Sequence, residues 1–455
     1  MLAPIPPPAV CAGKASTRIV TPQLYGAKTP RGEGLSNLRA NKICPKFRTM
    51  HKERKVMQRS LWLLATLATV SLVLAGTAPA QDLARGTVIA PPSTQGLFGL
   101  PRTFLYIFVP EGGVTPDIPS GETPASIACI YGVTKKSTGC PKTGTIIPTG
   151  GSKAIAVVEY GSNSTMKSDL SKFSSQWGLP APNVTEICAT GGSCPVNDGT
   201  GWDVETALDV QWAHAMAPNA ALYVLEFAND PLTDGAETQA AQKVAAAGGG
   251  EVSNSWGYNG GEFSGETADD SYYVHSGVVF FASAGDSGAI PQYPSVSPNV
   301  VSAGGTTIIR NSSGKYTSEH CWSGSGGGPS AYESIPSYQS VISSIVGTVR
   351  GTPDAAADAD PNSGVAVYNT TSCKGWCVVG GTSAASPILA GVTNAAGDFL
   401  ASTKAELTKV YGEYSVAKTY AADFHDITVG NNGYPAKKGW DFCTGVGSSK
   451  TPKGE

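Results

Sequence analysis

The chain has 455 residues, of which 41% are hydrophobic, with 55 glycines, 32 prolines and a formal net charge of −3 at pH 7. Residues 1–80 hold 12 of the 32 basic residues but only 2 of the 35 acidic ones, so the remainder carries 20 basic and 33 acidic side chains, a net charge of −13. This acidic balance argues against a nucleic-acid partner, because binding to phosphates needs a basic surface.

The first 80 residues are predicted to be a leader with a secretory signal peptide. The basic stretch KVMQRS precedes the apolar run LWLLATLATVSLVLA, and APA at 78–80 supplies a small-residue cleavage site. Residues 1–49 lie upstream of Met50 and are a candidate misassigned start. The apolar run is too short for a spanning helix, and no later stretch reaches about 18 uninterrupted apolar residues. We expect a secreted protein without a membrane anchor.

Residues 121–455 are predicted to form one α/β domain. The runs AIAVVEY, ALYVLEF, EVSNSW, GVVFFASAG and VVSAGGTTI are typical of strands, and WDVETALDVQWAHAM and GAETQAAQKVAAAG are typical of helices. Their alternation predicts a mostly parallel central sheet flanked by helices, with the active site beyond the carboxyl ends of the strands. Residues 81–120 have many Pro and Gly and no periodicity, which predicts a poorly ordered lead-in.

Eight of the ten cysteines follow residue 80, and an even number in a secreted chain indicates disulfides. Spacing favours three local pairs and leaves a fourth by elimination. A zinc site at the closest pair is disfavoured, since no Cys/His set with zinc spacing accompanies it. The predicted pairs are Cys129–Cys140, Cys188–Cys194, Cys373–Cys377 and Cys321–Cys443.

Ser383, in VVGGTSAASPILAGV, is a candidate nucleophile. A glycine pair allows a tight turn that exposes the hydroxyl, and a small-residue helix follows, whose N-terminus favours nearby negative charge. A serine that only caps this helix would have a similar sequence. A nucleophilic serine also requires a base.

No histidine is a convincing base for Ser383. The histidines are His51, in the leader, and His214, His275, His320 and His425. His214 lies on the same predicted helix as the acidic residue Glu205, but nine residues away, which is about half a turn out of phase. The usual Ser-His-Asp set is therefore unsupported by the sequence.

Three acidic residues are better candidates. Glu205 and Asp209 are four residues apart in a helical pattern, so they share one face among apolar neighbours, where one pKa would be raised. Asp286 ends the strand pattern GVVFFASAG, a common site position in an α/β sheet. The alternatives are a solvated acidic helix face for the pair and a turn aspartate for Asp286.

Taken together, these segments resemble the sedolisins, the serine-carboxyl peptidases, whose fold is similar to that of subtilisin. The resemblance runs from TPASIACIYGV at residue 123 to residue 447, through IAVVEYG, ETALDVQWAHAMAPNA, EVSNSWG, FFASAGDSG, GTPDAAADADP, GGTSAASP and DITVGNNGYPAKKGWDFCTGVGS. It implies Ser383 as nucleophile, Glu205 as general base, Asp209 as the acid that orients Glu205, and Asp286 as the oxyanion-hole side chain. A carboxylate base and a protonated aspartic donor together predict an acid pH optimum.

The resemblance also implies one structural Ca²⁺ ion near the C-terminus. Its implied ligands are the carboxylates of Asp426 and Asp441 with the backbone carbonyls of Ile427, Lys437 and Gly439, an oxygen-only set that suits Ca²⁺. The sequence departs from the family pattern at Lys437 and Lys438, which stand where the family commonly has small residues. Two positive charges near a cation would reduce its affinity.

The sequence thus predicts a secreted, acid-active, monomeric serine-carboxyl endopeptidase that acts on proteins or peptides. Only about 40 residues separate residue 80 from the first matching block, too few for the long pro-domain that family members usually carry. The alternatives are a tripeptidyl exopeptidase of the same family, a serine hydrolase using a histidine, and a catalytically silent sedolisin-like binding module.

Overall fold

A mostly parallel β-sheet forms the centre of the protein in the computed structural model, which describes residues 85–96, 99–111 and 117–454. The predicted leader and signal peptide lie outside the described residues. The strands of the described part are β1 Gly86–Ile89, β2 Pro101–Thr103, β3 Tyr106–Pro110, β4 Ala154–Tyr160, β5 Val184–Cys188, β6 Ala221–Phe227, β7 Gly250–Asn254, β8 Trp256–Tyr258, β9 Val278–Ser283, β10 Val301–Arg310, β11 Tyr316–Cys321, β12 Gly328–Ser334, β13 Val349–Thr352, β14 Ala355–Asp358, β15 Val365–Asn369, β16 Gly375–Gly380, β17 Phe424–His425 and β18 Ser448–Ser449.

Helices cover both faces of this sheet. They are α1 Pro124–Ile130, α2 Met166–Trp177, α3 Trp202–Met216, α4 Ala236–Ala246, α5 Ser343–Val346, α6 Thr382–Ala396, α7 Thr403–Ser415 and α8 Ala417–Asp423, with 3₁₀ turns at Pro92–Thr94, Glu266–Tyr273, Ser337–Ile342 and Pro452–Gly454. The two helices predicted from the sequence are α3 and α4. All fifteen residues of α3 are buried, because α3 is packed between α6 and the sheet on one side and outer elements on the other.

The central sheet has the strand order β17-β18-β14-β10-β9-β7-β4-β6-β5, and β11 pairs with β10 at the side of this path. Pairing is parallel from β18 to β5, and only β11 and β17 pair antiparallel. The prediction of a mostly parallel sheet is confirmed.

Alternate residues of the central strands face two separate cores. Along β4, Ile155 and Val157 belong to the core that contains α3 and α6, whereas Ala156 and Val158 belong to the core that contains α4. A strand buried on both faces needs apolar residues at every position, which explains the continuous run in place of an alternating one. Glu159 interrupts this run and is itself fully buried.

The described part of the segment predicted to be a poorly ordered lead-in contains three strands. A second sheet of order β1-β3-β16-β15 includes two of them, and β2 pairs antiparallel with β8. The apolar residues of FLYIFV hold the segment in place, since Phe104, Leu105 and Phe108 are buried.

All four predicted disulfides are present: Cys129–Cys140, Cys188–Cys194, Cys321–Cys443 and Cys373–Cys377. Three of them close short loops, and the fourth joins residues 122 apart in sequence. Within the described residues, no helix combines the length and the apolar character needed to cross a lipid bilayer.

Candidate active site

The predicted catalytic residues meet at one edge of the central sheet. Glu205 and Asp209 lie one turn apart on α3, and Ser383 is the second residue of α6. Asp286 follows the end of β9, and Ser255 follows the end of β7. This edge is formed by the carboxyl ends of the parallel strands, where α/β sheets bind their ligands.

A glycine turn places Ser383 at the start of α6. Gly381 has a φ of 102°, and a Cβ atom there would lie 2.6 Å from Asp286 Oδ2, so no larger residue fits without displacement. The Ser383 hydroxyl donates a hydrogen bond to Glu205 Oε2 at 2.9 Å. A serine hydroxyl bonded to a buried carboxylate has the geometry of a nucleophile and its base.

Three carboxyl groups form a buried chain behind Ser383. Glu205, Asp209 and Glu159 of β4 interact electrostatically with one another, and one carboxyl oxygen of each has no hydrogen-bond donor among the described residues. All three side chains are fully buried, and the Ser255 hydroxyl donates to Asp209 Oδ1 at 2.9 Å. Because neighbouring buried carboxylates repel one another, this chain favours the retention of protons.

Burial raises the pKa of every carboxyl in this chain. The pKa of Glu205 lies well above its ordinary range through burial and the charge of Asp209, while the hydrogen bond from Ser383 opposes the rise. Burial raises the pKa of Asp209 to about 8, and burial and the charges of both neighbours raise that of Glu159. The chain therefore retains protons at pH values where exposed carboxyl groups have lost them.

Asp286 presents one carboxyl oxygen to the site. Its Oδ1 accepts hydrogen bonds from the Thr382 backbone N–H at 2.8 Å and from the Thr382 hydroxyl at 2.9 Å. Its Oδ2 is buried and has no partner among the described residues. Burial raises the pKa of Asp286 to about 7, against the opposing effects of the Thr382 hydrogen bonds and the Arg102 charge. Below that pH the proton sits on Oδ2, which then is a free donor.

None of the four histidines in the described part of the chain hydrogen-bonds to Ser383. His214 is fully buried on α3, and its Nε2 lies 3.0 Å from the carbonyl oxygen of Pro180, on the side away from Glu205. The phase argument from the sequence is therefore confirmed, and Glu205 is the titratable group in contact with the serine hydroxyl.

Residues 99–111 cross this edge and cover it. The Ser383 backbone N–H donates to the Phe104 carbonyl oxygen at 3.0 Å, and the Phe104 N–H donates to Ser383 Oγ at 3.1 Å. Ser383 is fully buried beneath this segment. Before Phe104 the segment pairs with β8, and after Leu105 it pairs with β16.

Sequence reasoning missed Glu159, Ser255 and Phe104. A signal existed for Glu159, because a single carboxyl in the otherwise apolar run AIAVVEY must be paired or protonated. A weaker signal existed for Phe104, which opens the apolar run FLYIFV. Ser255 carried none, since a serine that follows a strand is ordinary.

The structure brings the predicted calcium ligands together on one loop. The Gly439 N–H donates to Asp426 Oδ1 at 3.0 Å, and the Lys437 N–H donates to Asp441 Oδ2 at 3.0 Å, so both carboxylates contact the same short segment. Within the described residues, the carbonyl oxygens of Ile427, Lys437 and Gly439 accept no hydrogen bond. Asp441 Oδ1 also accepts hydrogen bonds from the Cys443 and Thr444 N–H groups. Carboxylates and carbonyls make up an oxygen-only set of the kind that Ca²⁺ takes.

Comparison with known proteins identifies peptidases as relatives. The model of the subtilase family matches residues 204–397. Sedolisin from Pseudomonas sp. (strain 101) is 29% identical over 423 residues, which cover 82% of this chain and 68% of that protein. Kumamolisin from Bacillus sp. (strain MN-32) is 32% identical over 341 residues, which cover 66% of this chain and 58% of that protein. The chain thus spans about two thirds of the first relative's length and less of the second's.

A solved structure of Pseudomonas sedolisin, a serine-carboxyl proteinase in complex with pseudo-iodotyrostatin, matches with a TM-score of 0.58 and 27% identity, covering 74% of this chain and 97% of that one. The chain is thus related to the sedolisins, which are serine-type peptidases, and has a subtilisin-like fold.

Proposed function

We propose that this chain is a secreted, acid-active serine-carboxyl endopeptidase that cleaves proteins or peptides through an acyl-enzyme on Ser383. The observation that supports it most directly is the hydrogen bond of 2.9 Å from the Ser383 hydroxyl to the buried carboxyl of Glu205, at a site without histidine among the described residues. The signal peptide and the disulfide-forming cysteines support secretion.

In the proposed reaction, Ser383 Oγ attacks the substrate carbonyl carbon while Glu205 accepts its proton. Asp209 holds Glu205 in place and, with Glu159, spreads the charge and the protons over the buried chain. Asp286, protonated on Oδ2, donates to the oxyanion beside the Ser383 backbone N–H. Glu205 then returns the proton to the leaving amine, and water repeats the sequence to release the acid.

The two pKa effects define a window of pH for this reaction. Glu205 must be ionised to act as base, so activity rises with pH through the pKa of the Glu205–Asp209 pair. Asp286 must be protonated to act as donor, so activity falls as pH rises through about 7. A profile that falls above about pH 7 is expected, with its acid limb set by the first ionisation of the coupled Glu205–Asp209 pair.

We also propose that Asp426, Asp441 and the carbonyls of Ile427, Lys437 and Gly439 hold one Ca²⁺ ion. The family generally binds Ca²⁺, and the three free carbonyls support the assignment. The ion would fix the C-terminal loop. The Lys437 side chain is exposed, so solvent screens its charge.

Endopeptidase activity is favoured over removal of tripeptides from a free N-terminus. The strand in the cleft extends upstream of Phe104 for more than three residues: Asn259 N–H donates to the Leu100 carbonyl oxygen at 3.1 Å, and Gly99 N–H donates to the Asn259 carbonyl oxygen at 3.1 Å. A tripeptidyl peptidase needs a barrier after the third residue. Here the groove accepts at least six residues on that side.

The test is hydrolysis of an unfolded protein from about pH 2 to pH 8, with Ser383→Ala and Glu205→Gln beside the unchanged chain. Both substitutions should abolish hydrolysis. Ser386→Ala is the matched control, because Ser386 lies one turn along α6, is equally buried and bonds to Ser253 instead. Full activity of Glu205→Gln would refute the carboxyl base, and no hydrolysis at any pH by a folded chain would favour the silent binding module.

A further inference from the structure

Strand β15 lies at the edge of the second sheet, and side chains of α3 cover part of its outer edge. The Gln211 amide makes two hydrogen bonds with one residue of this strand: its Nε2 donates to the Tyr368 carbonyl oxygen at 2.7 Å, and its Oε1 accepts from the Tyr368 N–H at 2.9 Å. The next residue, Trp212, donates from Nε1 to the Ala366 carbonyl oxygen at 3.0 Å. These side chains satisfy backbone groups that a further strand would otherwise have to pair.

The beginning of α3 is held to the same strand. The Asn369 Nδ2 atom donates to the Asp203 carbonyl oxygen at 3.1 Å, while the Asn369 Oδ1 atom accepts from the Ser372 N–H at 2.7 Å. Asn163, in the turn after β4, donates to the same Asp203 oxygen at 2.8 Å. Because the N-cap residue of α3 is Gly201, which has no side chain to cap the helix, these buried amides fix its start from outside.

The contacts with β15 lie on either side of the acidic pair of the candidate site. Asp203 precedes Glu205 by two residues, and Gln211 follows Asp209 by two residues. Helices act as rigid elements over such short distances, so holding both ends of this stretch fixes the backbone that carries the two carboxyl groups.

The same strand leads to the nucleophile. β15 and β16 form an antiparallel hairpin of five residue pairs, from Val365–Val379 to Asn369–Gly375, and the Cys373–Cys377 disulfide lies in this hairpin. β16 ends three residues before Ser383, which follows the glycine turn at the start of α6. Movement of α3 relative to this hairpin would therefore change the position of Glu205 relative to Ser383.

We propose that Gln211 and Asn369 are positioning residues, which set the distance between the Ser383 hydroxyl and the Glu205 carboxyl by holding α3 against the β15–β16 hairpin. The inference rests on the proposed peptidase function and adds to it two residues that do not touch the reacting atoms. Proton transfer from Ser383 to Glu205 uses the present separation of 2.9 Å, and a displacement of about 1 Å can slow an enzyme about 10²-fold.

Gln339 provides a matched control, because it makes the same pair of bonds in another part of the fold. Its Nε2 donates to the Gly351 carbonyl oxygen at 2.7 Å, and its Oε1 accepts from the Gly351 N–H at 3.0 Å. Gln339 and Gln211 are both fully buried, and Gly351 belongs to β13, which pairs with β12 in a separate two-stranded sheet. Gln339 also donates to the Tyr411 hydroxyl at 2.8 Å, so its loss should destabilise the fold at least as much.

The test compares Gln211→Ala, Asn369→Ala and Gln339→Ala with the unchanged chain at about pH 4, by peptide hydrolysis, urea unfolding and crystal structures. All three substitutions should lower the unfolding midpoint. Only Gln211→Ala and Asn369→Ala should lower kcat per folded molecule, by about tenfold or more, with KM unchanged. In these two variants the distance from Ser383 Oγ to Glu205 Oε2 should exceed about 3.5 Å, which is too long for a hydrogen bond.

Gln211→Glu tests whether the two bonds to Tyr368 carry the effect. At about pH 4 a buried glutamic acid is protonated and offers the same donor and acceptor as the amide. This variant should therefore keep more of kcat than Gln211→Ala does. Equal losses in the two variants would show that the bonds to Tyr368 do not position α3.

The remaining outcomes each decide against a stated part. A loss of kcat in Gln339→Ala as large as that in Gln211→Ala would show that lost stability alone slows the enzyme, and would overturn the proposal. An unchanged kcat or an unchanged Ser383–Glu205 distance in Gln211→Ala would overturn it as well, and a normal kcat in Asn369→Ala would remove Asn369 from it. If the unchanged chain hydrolyses nothing at any pH, the peptidase function fails, and the distances in the crystal structures still decide the positioning.

Discussion

Replacing Glu237 by glutamine should stabilise the protein at neutral pH and leave its stability in acid unchanged. Glu237 is fully buried near the start of α4, and neither of its carboxyl oxygens has a hydrogen-bond donor within 3.5 Å among the described residues. Burial raises its pKa from 4.5 to about 8, with Asn254 opposing the rise and the charge of Asp230 adding to it. The folded chain therefore holds a proton that the unfolded chain has released.

The sign and the size follow from this difference. Because the pKa is raised in the folded state, the stabilising effect is complete below about pH 4.5 and is lost as pH rises toward about 8. At about 1.4 kcal/mol per pKa unit, the folded state loses about 3 kcal/mol between pH 4.5 and pH 7 through this one carboxyl. Glutamine has the same shape, stays neutral, and avoids that loss.

The assay is urea unfolding at about pH 4 and about pH 7, in a Ser383→Ala background so that no self-digestion occurs. We expect equal midpoints at pH 4, and at pH 7 an unfolding free energy higher by about 3 kcal/mol in Glu237→Gln. Glu111→Gln removes an exposed carboxyl and should change neither value. A Glu237→Gln variant that is less stable at both pH values would show that the carboxyl is ionised and paired, contrary to this reasoning.

Three further outcomes are expected. Asp286→Ala should lower kcat about 10²-fold to 10³-fold at pH 5. Asp286→Asn keeps a donor at the Oδ2 position, so it should keep part of the rate and should lose the fall in activity of about tenfold per pH unit above pH 7. If activity still falls above pH 7 in Asp286→Asn, another group causes that fall. Arg350→Ala should cost about 3 to 5 kcal/mol of unfolding free energy, because it leaves the buried Asp354 carboxylate without its charged partner. The Arg350 guanidinium now donates to the two Asp354 carboxylate oxygens at 2.6 and 3.0 Å. A loss below about 1 kcal/mol would contradict this ion pair. A chelator should lower the unfolding temperature, with recovery on adding Ca²⁺ but not Mg²⁺; an unchanged temperature would count against the site at Asp441.

The sequence predicted correctly those placements that depend on local pattern. Glu205 and Asp209 share a face because four residues make about one helical turn, and Asp286 follows a strand whose apolar run is continuous. The local disulfides follow from spacing, and Cys321–Cys443 followed once the others were paired. In each case the neighbouring residues alone carry the information.

The placement of Phe104 could not be predicted in the same way. Its partners are Gly257 and Ser383, more than 150 residues further along the chain, and the register of β2 against β8 is set by where those segments meet after folding. A stretch with many Pro and Gly and short apolar runs is typical of a loop when read alone. Glu159 was missed for a related reason, since its partner Asp209 lies on another element.

The carboxyl chain behind Ser383 has a consequence for the choice of inhibitors. Reagents that alkylate an imidazole after binding the serine find no such ring beside it in the described part of the chain, where His214 faces Pro180. A peptide aldehyde needs only the serine hydroxyl and a donor for the resulting alkoxide, and Asp286 Oδ2 lies where it can supply one. Peptide aldehydes should therefore capture the enzyme in acid, and chloromethyl ketones should not.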